Sequence, residues 1–431
     1  MLHLVVGLAI VCAGMAPSAQ PPGAAASGGS LVITGATVVD GTGAPPLANG
    51  VIVIRNGRIA TVGPASSVRI PDGVERLDLR GKTVLPGFVN AHGHANETRG
   101  LQSGPQFNTR ENVERQLELY AQYGVTSVFS LGGDGAPGLV LRDEPARGRA
   151  RLFVSGAIVS GKTPEAAAAE VDVLAAPKVD WVKVRVDGHL GAGSMPLPAA
   201  KAAIARAHTH KLPLAAHLYY LADAHQLLRD GVDLIAHSVR DADVDTEFIR
   251  LARARDVCVV PTLMREVSTY VYESEPAFFA DPFFLRHADT AAVEQLKTPA
   301  RQQAFRTPAA QANKIALERA SRNVKLLKDA GVRIAMGTDS GPAGRFQGYF
   351  EHLELELMVK AGLTPMQTIV AATGDSARCM KKAGQIGTIQ PGAWADLVVY
   401  GASPLDDIRN TRTLEQVFVA GAPLPAIAPR R

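Results

Sequence analysis

The stretch DWVKVRVDGHLGAGSMPLPAAKAAIARAHTHKLPLAAHLYYLADAHQLLRDGVDLIAHS, Asp180 to Ser238, decides the fold. Short apolar runs at 181–186, 213–218 and 234–238 alternate with amphipathic segments at 198–210 and 222–229. Each run is almost continuously apolar, as strands buried on both faces are, and each is too short for a helix. The same texture continues outward at 83–89, 126–131, 152–158, 257–263 and 333–337, with further amphipathic segments at 111–123 and 246–255. Eight β-α units in succession predict an α/β fold, a TIM (β/α)8 barrel over 82–384, rather than an open doubly wound sheet. An open sheet carries a glycine-rich phosphate turn after its first strand. Here Gly132-Gly133-Asp134-Gly135 follows the second run, without a GxGxxG context. The interval 264–332 is longer than one connection needs and predicts a lid-like helical excursion over the site.

The two ends of the chain read differently. Short β-branched runs occur at 31–34, 36–40, 51–55 and 58–62, with Asn56-Gly57 as a hairpin turn, and the pattern returns at 392–400 and 416–420. These predict one small β-sandwich domain assembled from both ends, 30–81 and 385–428. Residues 1–26 read as a signal peptide and linker: the apolar run 4–16 falls short of the about 20 residues of a membrane span and is followed by small residues. Export to the periplasm or the medium is expected, against a cytoplasmic tail as the alternative, since the first residues carry no Lys or Arg. No other run reaches membrane-span length, so no membrane association of the mature form is expected. Cys12 falls in the leader; Cys258 in a strand-like run and Cys379 in a helical one are expected to be free thiols.

Composition narrows the function. The 431 residues carry 45 Lys+Arg against 41 Asp+Glu, a net charge of +4, with no run of like charge and no basic stripe, which argues against nucleic acid or an anionic membrane as partner. A small-molecule substrate is expected instead. Active-site groups of such barrels come from the C-terminal ends of strands, so the polar residues that end the apolar runs are the informative ones. They are His92 and His94 after the first run, Lys183 in the fourth, His217 ending the fifth, His237 ending the sixth and Asp339 ending the eighth. Singly each has a plainer reading, a hydrogen-bonded core histidine, an ion-paired lysine or a turn-capping aspartate. Together they read as a metal site. Neutral imidazoles and carboxylates are ligands for zinc or a similar divalent ion, and an open position there lowers the pKa of a bound water from 15.7 to about 7. Six groups exceed the needs of one tetrahedral ion and favour two metals with a bridging group.

The segment Leu85-Pro-Gly-Phe-Val-Asn-Ala-His-Gly-His94 resembles the first-strand motif of the amidohydrolase superfamily. Gly337-Thr-Asp-Ser340, Glu354-Leu-Glu-Leu-Met358, Ala361-Gly-Leu-Thr-Pro365, Ala371-Ala-Thr373 and the stretch 387–399 resemble the C-terminal signature of its imidazolonepropionase-like and prolidase-like branch. The resemblance implies that His92, His94 and Asp339 hold one metal, that His217 and His237 hold the other, and that Lys183, carboxylated on its amine, bridges them. It also implies Asp339 as general base and then acid in the attack of a metal-bridging hydroxide on a C–N bond. Dipeptides, N-acyl amino acids and cyclic amides are the substrate classes this points to. A lactonase or phosphotriesterase-like activity on the same metals is the alternative within hydrolases, and a non-catalytic barrel the alternative outside them. Lys183 departs from true imidazolonepropionases, and Tyr220 stands where deaminases carry a Glu. Arg185, on the face of Lys183, is a candidate clamp for a substrate carboxylate or else the ion-pair partner of Asp187. Tyr219, two residues past His217, is a candidate donor to the substrate carbonyl or else a packed aromatic, and His189 a candidate substrate contact. His208, His210, His225, His287 and His352 read as structural or surface groups. Many relatives assemble, which makes a homo-oligomer compatible with the resemblance.

Overall fold

The computed structural model describes residues 30–187 and 194–425. The leader 1–26 and His189 lie outside the described residues.

Strands from both ends of the chain share one mixed eight-stranded sheet. Its order runs Ala422–Pro423, Leu414–Val419, Leu397–Tyr400, Thr83–Pro86, Ser30–Val38, Leu47–Arg55 and Arg58–Pro64, with Glu75–Asp78 parallel to Ser30–Val38. The predicted sandwich is thus, in its hydrogen bonding, a single sheet with two apolar faces. Leu31, Ile33, Ile52 and Ile54 pack on one face, and Val32, Val51 and Val53 on the other, as the two-residue alternation of a strand requires. The runs 31–34 and 36–40, expected as separate strands, form one strand with a register shift at Gly35, which adopts φ 81°. Asn56 and Gly57 make the expected hairpin, with φ 51° and 75°.

The run 83–89 divides between the two parts of the molecule. Thr83–Pro86 belongs to the mixed sheet, and the first strand of the α/β part begins at Phe88. Gly87 lies at the joint, where a Cβ would come within 2.2 Å of the Thr126 side chain. From there, parallel strands and helices alternate. One sheet joins Phe88–Gly93, Val125–Ser130 and Arg151–Val154, and a second joins Val182–Val186, Leu214–Leu218, Leu234–Ala236 and Cys258–Val260. Single parallel bridges lie between and beyond these sheets, from Val159 to Val184, from Val259 to Ile334 and from Gly93 to Ser340. The eighth run and the residues just after it therefore pair through isolated bridges, at Ile334 and Ser340, rather than as an extended strand. Outside lie helices such as Arg110–Gln122, Pro164–Ala175 and Thr246–Ala254, whose Thr109, Thr163 and Asp245 side chains accept the first free backbone N–H groups. The long interval after Cys258–Val260 holds a series of short helices and then the 22-residue helix Pro308–Asp329. Among the described residues no helix is long and apolar enough to cross a membrane.

Strand residues facing inward, among them Val89, Ala91, Phe129, Ala215, Leu234 and Val260, form one apolar cluster with Trp181, and the helix Gly374–Cys379 closes its floor with Ala377 and Cys379, followed by Met380. There the structure corrects the expectation of free thiols: Cys258 and Cys379 form a disulfide. Their local texture concealed it, because the two are 121 residues apart and meet only when the floor helix docks beneath the seventh strand.

Candidate metal centre

Five of the six proposed ligands sit near or just beyond the C-terminal ends of strands, and Lys183 lies near the start of its strand. His92 lies next to the end of the first strand with His94 just after it, Lys183 lies in the fourth, His217 near the end of the fifth, and His237 and Asp339 follow the sixth strand and the eighth run. Three residues here take left-handed backbone conformations that side chains disfavour: His237 at φ 72°, Thr262 at 49° and Asp339 at 56°. Strain of this kind persists only where surrounding bonds over-determine it, and it gathers at functional sites.

Ligand-type atoms of His92, His94 and Asp339 all lie within 4.8 Å of one another. Asp339 Oδ1 is 2.8 Å from His94 Nε2 and 3.6 Å from His92 Nε2. His94 Nδ1 lies 3.1 Å from the Gly132 carbonyl, which orients the ring with Nε2 toward Asp339. The rings of His237 and His92 have centroids 4.7 Å apart, and those of His217 and His237 4.1 Å apart. Lys183 Nζ is 3.4 Å from His92 Nε2. Outer bonds hold the other ring nitrogens, as in metal-ligating histidines generally: His217 Nε2 meets Asp187 Oδ2 at 2.7 Å and His237 Nδ1 meets Thr262 Oγ1 at 2.5 Å. The buried His92 Nδ1 has no hydrogen-bond partner among the described residues.

Burial pushes the His217 imidazole down to about 3 against the opposing bond from Asp187, and holds those of His92 and His237 well below the usual range, with neighbouring cationic and imidazole groups acting the same way. All three are therefore neutral, the form that ligates metal. Burial also lowers the Lys183 ammonium to about 7, with Asp339 opposing. For Asp339, burial would raise the carboxyl, but the Arg345 guanidinium and His94 outweigh it and hold the group well below the usual carboxylate range. The donor set thus suits a divalent cation.

The structure brings the six candidate ligands together and treats the other candidates individually. Arg185 pairs in register with His217 on the neighbouring strand, and its Nε lacks a hydrogen-bond partner among the described residues. Tyr219 is buried beneath Arg240, whose guanidinium carbon lies 4.8 Å from the ring centroid. The histidines read as structural take such roles: His208 meets Asp233 at 2.9 Å, His210 meets Asp172 at 2.6 Å and His225 meets Asp245 at 2.9 Å. His352 is buried between Thr411 Oγ1 and the Tyr123 carbonyl. Sequence reasoning missed Arg345, whose Nη1 bonds Asp339 Oδ2, and Asp187 as the partner of His217. It also missed the buried Arg240–Glu266–Arg265 cluster beside Tyr219. Arg345 lies in a glycine-rich loop with no periodic signal. Glu266, buried between two arginines, sits in what reads as an ordinary polar segment.

Residues 83–424 match the amidohydrolase family. The imidazolonepropionase of Cutibacterium acnes is 24% identical over 378 residues, which span 82% of this chain and 84% of that protein. A 66-residue stretch is 44% identical to the 5-methylthioadenosine/S-adenosylhomocysteine deaminase of Symbiobacterium thermophilum, but it spans only 15% of either chain. Among solved structures, the "putative prolidase" of Bifidobacterium longum superposes with a TM-score of 0.74 at 26% identity, covering 94% of this chain and 96% of that one. A Xaa-Pro dipeptidase with methionine bound in its active site shares the fold, with a TM-score of 0.72 at 20% identity over 91% of this chain and 98% of that one. These likenesses give the architecture as a TIM barrel with an extra domain. The chain belongs to the amidohydrolase family, whose members generally bind divalent metal, and is a hydrolase of carbon–nitrogen bonds on the branch with imidazolonepropionase and prolidase relatives.

Proposed function

We propose that the protein hydrolyses an amide-type bond in a small substrate, a dipeptide, an N-acyl amino acid or a cyclic amide, at a centre for two divalent metal ions, zinc by default. The observation that carries this reading is the convergence of His92, His94 and Asp339 within 4.8 Å, with Lys183 Nζ 3.4 Å from His92. His92, His94 and Asp339 would hold one ion and His217 and His237 the other. Lys183 would bridge them as a carbamate: its neutral Nζ adds carbon dioxide, one N–C bond forms, one proton leaves, and a buried amine becomes an anionic oxygen donor. Bound metal supplies Lewis acidity, polarising the scissile carbonyl and lowering the pKa of water.

The chain's own residues supply the rest. Asp339, kept ionised beside Arg345, begins the cycle able to accept the proton of the attacking water and then returns it to the leaving nitrogen. Arg185 takes a substrate carboxylate. Tyr219 donates its hydroxyl to the substrate carbonyl, its ring held by Arg240. His189, by its place in the sequence after the fourth strand, is a further candidate substrate contact. The strand arcs and their bridges are read as one closed (β/α)8 barrel, with the mixed sheet as its companion domain. The leader and the Cys258–Cys379 disulfide together favour export, because disulfides persist in oxidising compartments.

Elemental analysis of protein expressed with zinc and bicarbonate tests the reading, together with a screen of dipeptides and N-acyl amino acids. About two metals per chain, falling in Lys183→Ala, are expected. One metal per chain, unaffected by that substitution, would remove the bridged site.

A further inference from the structure

The helix Tyr349–Lys360 lies outside the strands, yet it buries two acidic side chains, Glu351 and Glu354, at 0% exposure. A spacing of three residues sets both on the face turned inward. A buried carboxylate is costly unless its oxygens are bonded, so its partners reveal what it organises.

Glu351 Oε1 accepts from three side chains, Asn90 Nδ2, Thr338 Oγ1 at 2.8 Å and Ser340 Oγ at 2.7 Å. These flank the first group of ligands. Asn90 Oδ1 accepts the His92 backbone N–H at 2.9 Å, and the His92 carbonyl accepts the N–H groups of Thr338 at 3.1 Å and Asp339 at 2.7 Å. One carboxylate oxygen therefore clasps the two chain segments that carry His92, His94 and Asp339. Glu354 acts elsewhere. Its Oε1 accepts the Leu263 N–H at 2.8 Å and its Oε2 the Met264 N–H at 2.6 Å. Those bonds anchor the chain immediately after Thr262, whose left-handed backbone aims Oγ1 at His237 Nδ1.

We infer that this helix sets the metal affinity of the two halves of the site separately, Glu351 acting as positioning residue for the His92–His94–Asp339 half and Glu354 for the His217–His237 half. The inference rests on the two-metal reading above. A helix that merely braced the fold would affect both halves alike, so a split in affinity is the diagnostic observation.

Zinc affinity of the full chain is measured by chelator competition in two backgrounds. His217→Ala leaves the His92–His94–Asp339 half, and His92→Ala leaves the other. Glu351→Gln is expected to weaken zinc about ten- to a hundredfold in the first background and to leave the second unchanged; Glu354→Gln is expected to do the reverse. Melting temperature is read in parallel. Equal weakening of both halves by either substitution, or no weakening by either, overturns the inference. Should the glutamine variants fail to fold, Ser340→Ala and Thr262→Val remove one hydroxyl from each arm and carry the same expected split. A wild-type chain that binds a single zinc overturns the two-metal reading and the Glu354 arm with it, while the Glu351 arm is still decided in the His217→Ala background.

Discussion

The Cys258–Cys379 disulfide closes a loop of 121 residues that contains the helical excursion, Thr262 and Asp339. Cross-linking a loop of that length removes chain entropy from the unfolded state, −2.1 − 1.5R ln n, about −16 cal/mol/K or about 5 kcal/mol at 25 °C, with typical measured values of about 2–4 kcal/mol. Replacing either cysteine by alanine abolishes the whole cross-link. Each also empties a small volume in the floor cluster, where Cys258 is 3% and Cys379 2% exposed, for about 1 kcal/mol more. Denaturant titration of Cys258→Ala, Cys379→Ala and the double variant should therefore show two large and similar single losses, with the second substitution adding only about 1 kcal/mol. Thiol titration of the full chain unfolded without reductant should find Cys12 alone, and two more thiols after reduction. Three thiols without reductant, together with additive single losses, would refute the cross-link.

Other outcomes follow from the same geometry. Asp339→Asn keeps an oxygen toward His94 but cannot carry the proton, so turnover should fall by about 100-fold or more while much of the metal remains; equal activity would remove Asp339 from proton transfer. The buried His352 imidazole is pushed down to about 4 from 6.5, chiefly by burial. Its folded value lies below its unfolded one, so the stability it contributes is full above pH about 6.5 and is lost as pH falls toward about 4, by about 3 kcal/mol in all. Melting curves of wild type and His352→Gln should converge across that window, and parallel curves would contradict the assignment. Arg345→Met removes the guanidinium beside Asp339 Oδ2 and should lower kcat more than it raises KM, whereas a change in KM alone would place Arg345 in substrate binding instead.

How much of the site could be read in advance depended on where each residue's partners lie along the chain. His92, His217 and His237 stand out because a polar side chain ending an apolar run breaks a local pattern, and strand ends converge in this fold. Lys183 stands out because a charged side chain sits within an apolar run. Glu351 and Glu354 break a pattern too, yet nothing nearby in the sequence shows that their partners are Asn90, Ser340 and the start of a helix at Leu263. The run 83–89 looks like one strand because apolar texture does not register a change of sheet. Pro86 and Gly87 mark that change only once Thr126 is seen to leave no room for a side chain at Gly87.

By itself the sequence determined the alternation of parallel strands and helices and the hairpin at Asn56-Gly57, and it singled out the six candidate ligands. Each of these rests on spacing within a few residues, on the period of a strand or helix, or on a polar residue that an apolar strand does not otherwise tolerate. Only the tertiary structure decided that Cys258 bonds Cys379, that Arg345 holds Asp339, that Asp187 orients His217 and that the end strands join in one sheet. Most of these join residues far apart in the chain; even Arg345, six positions beyond Asp339, depends on how its loop turns back. Such contacts exist because chain closure brings the groups within reach, and a side chain's local sequence carries no record of what closure will place opposite it.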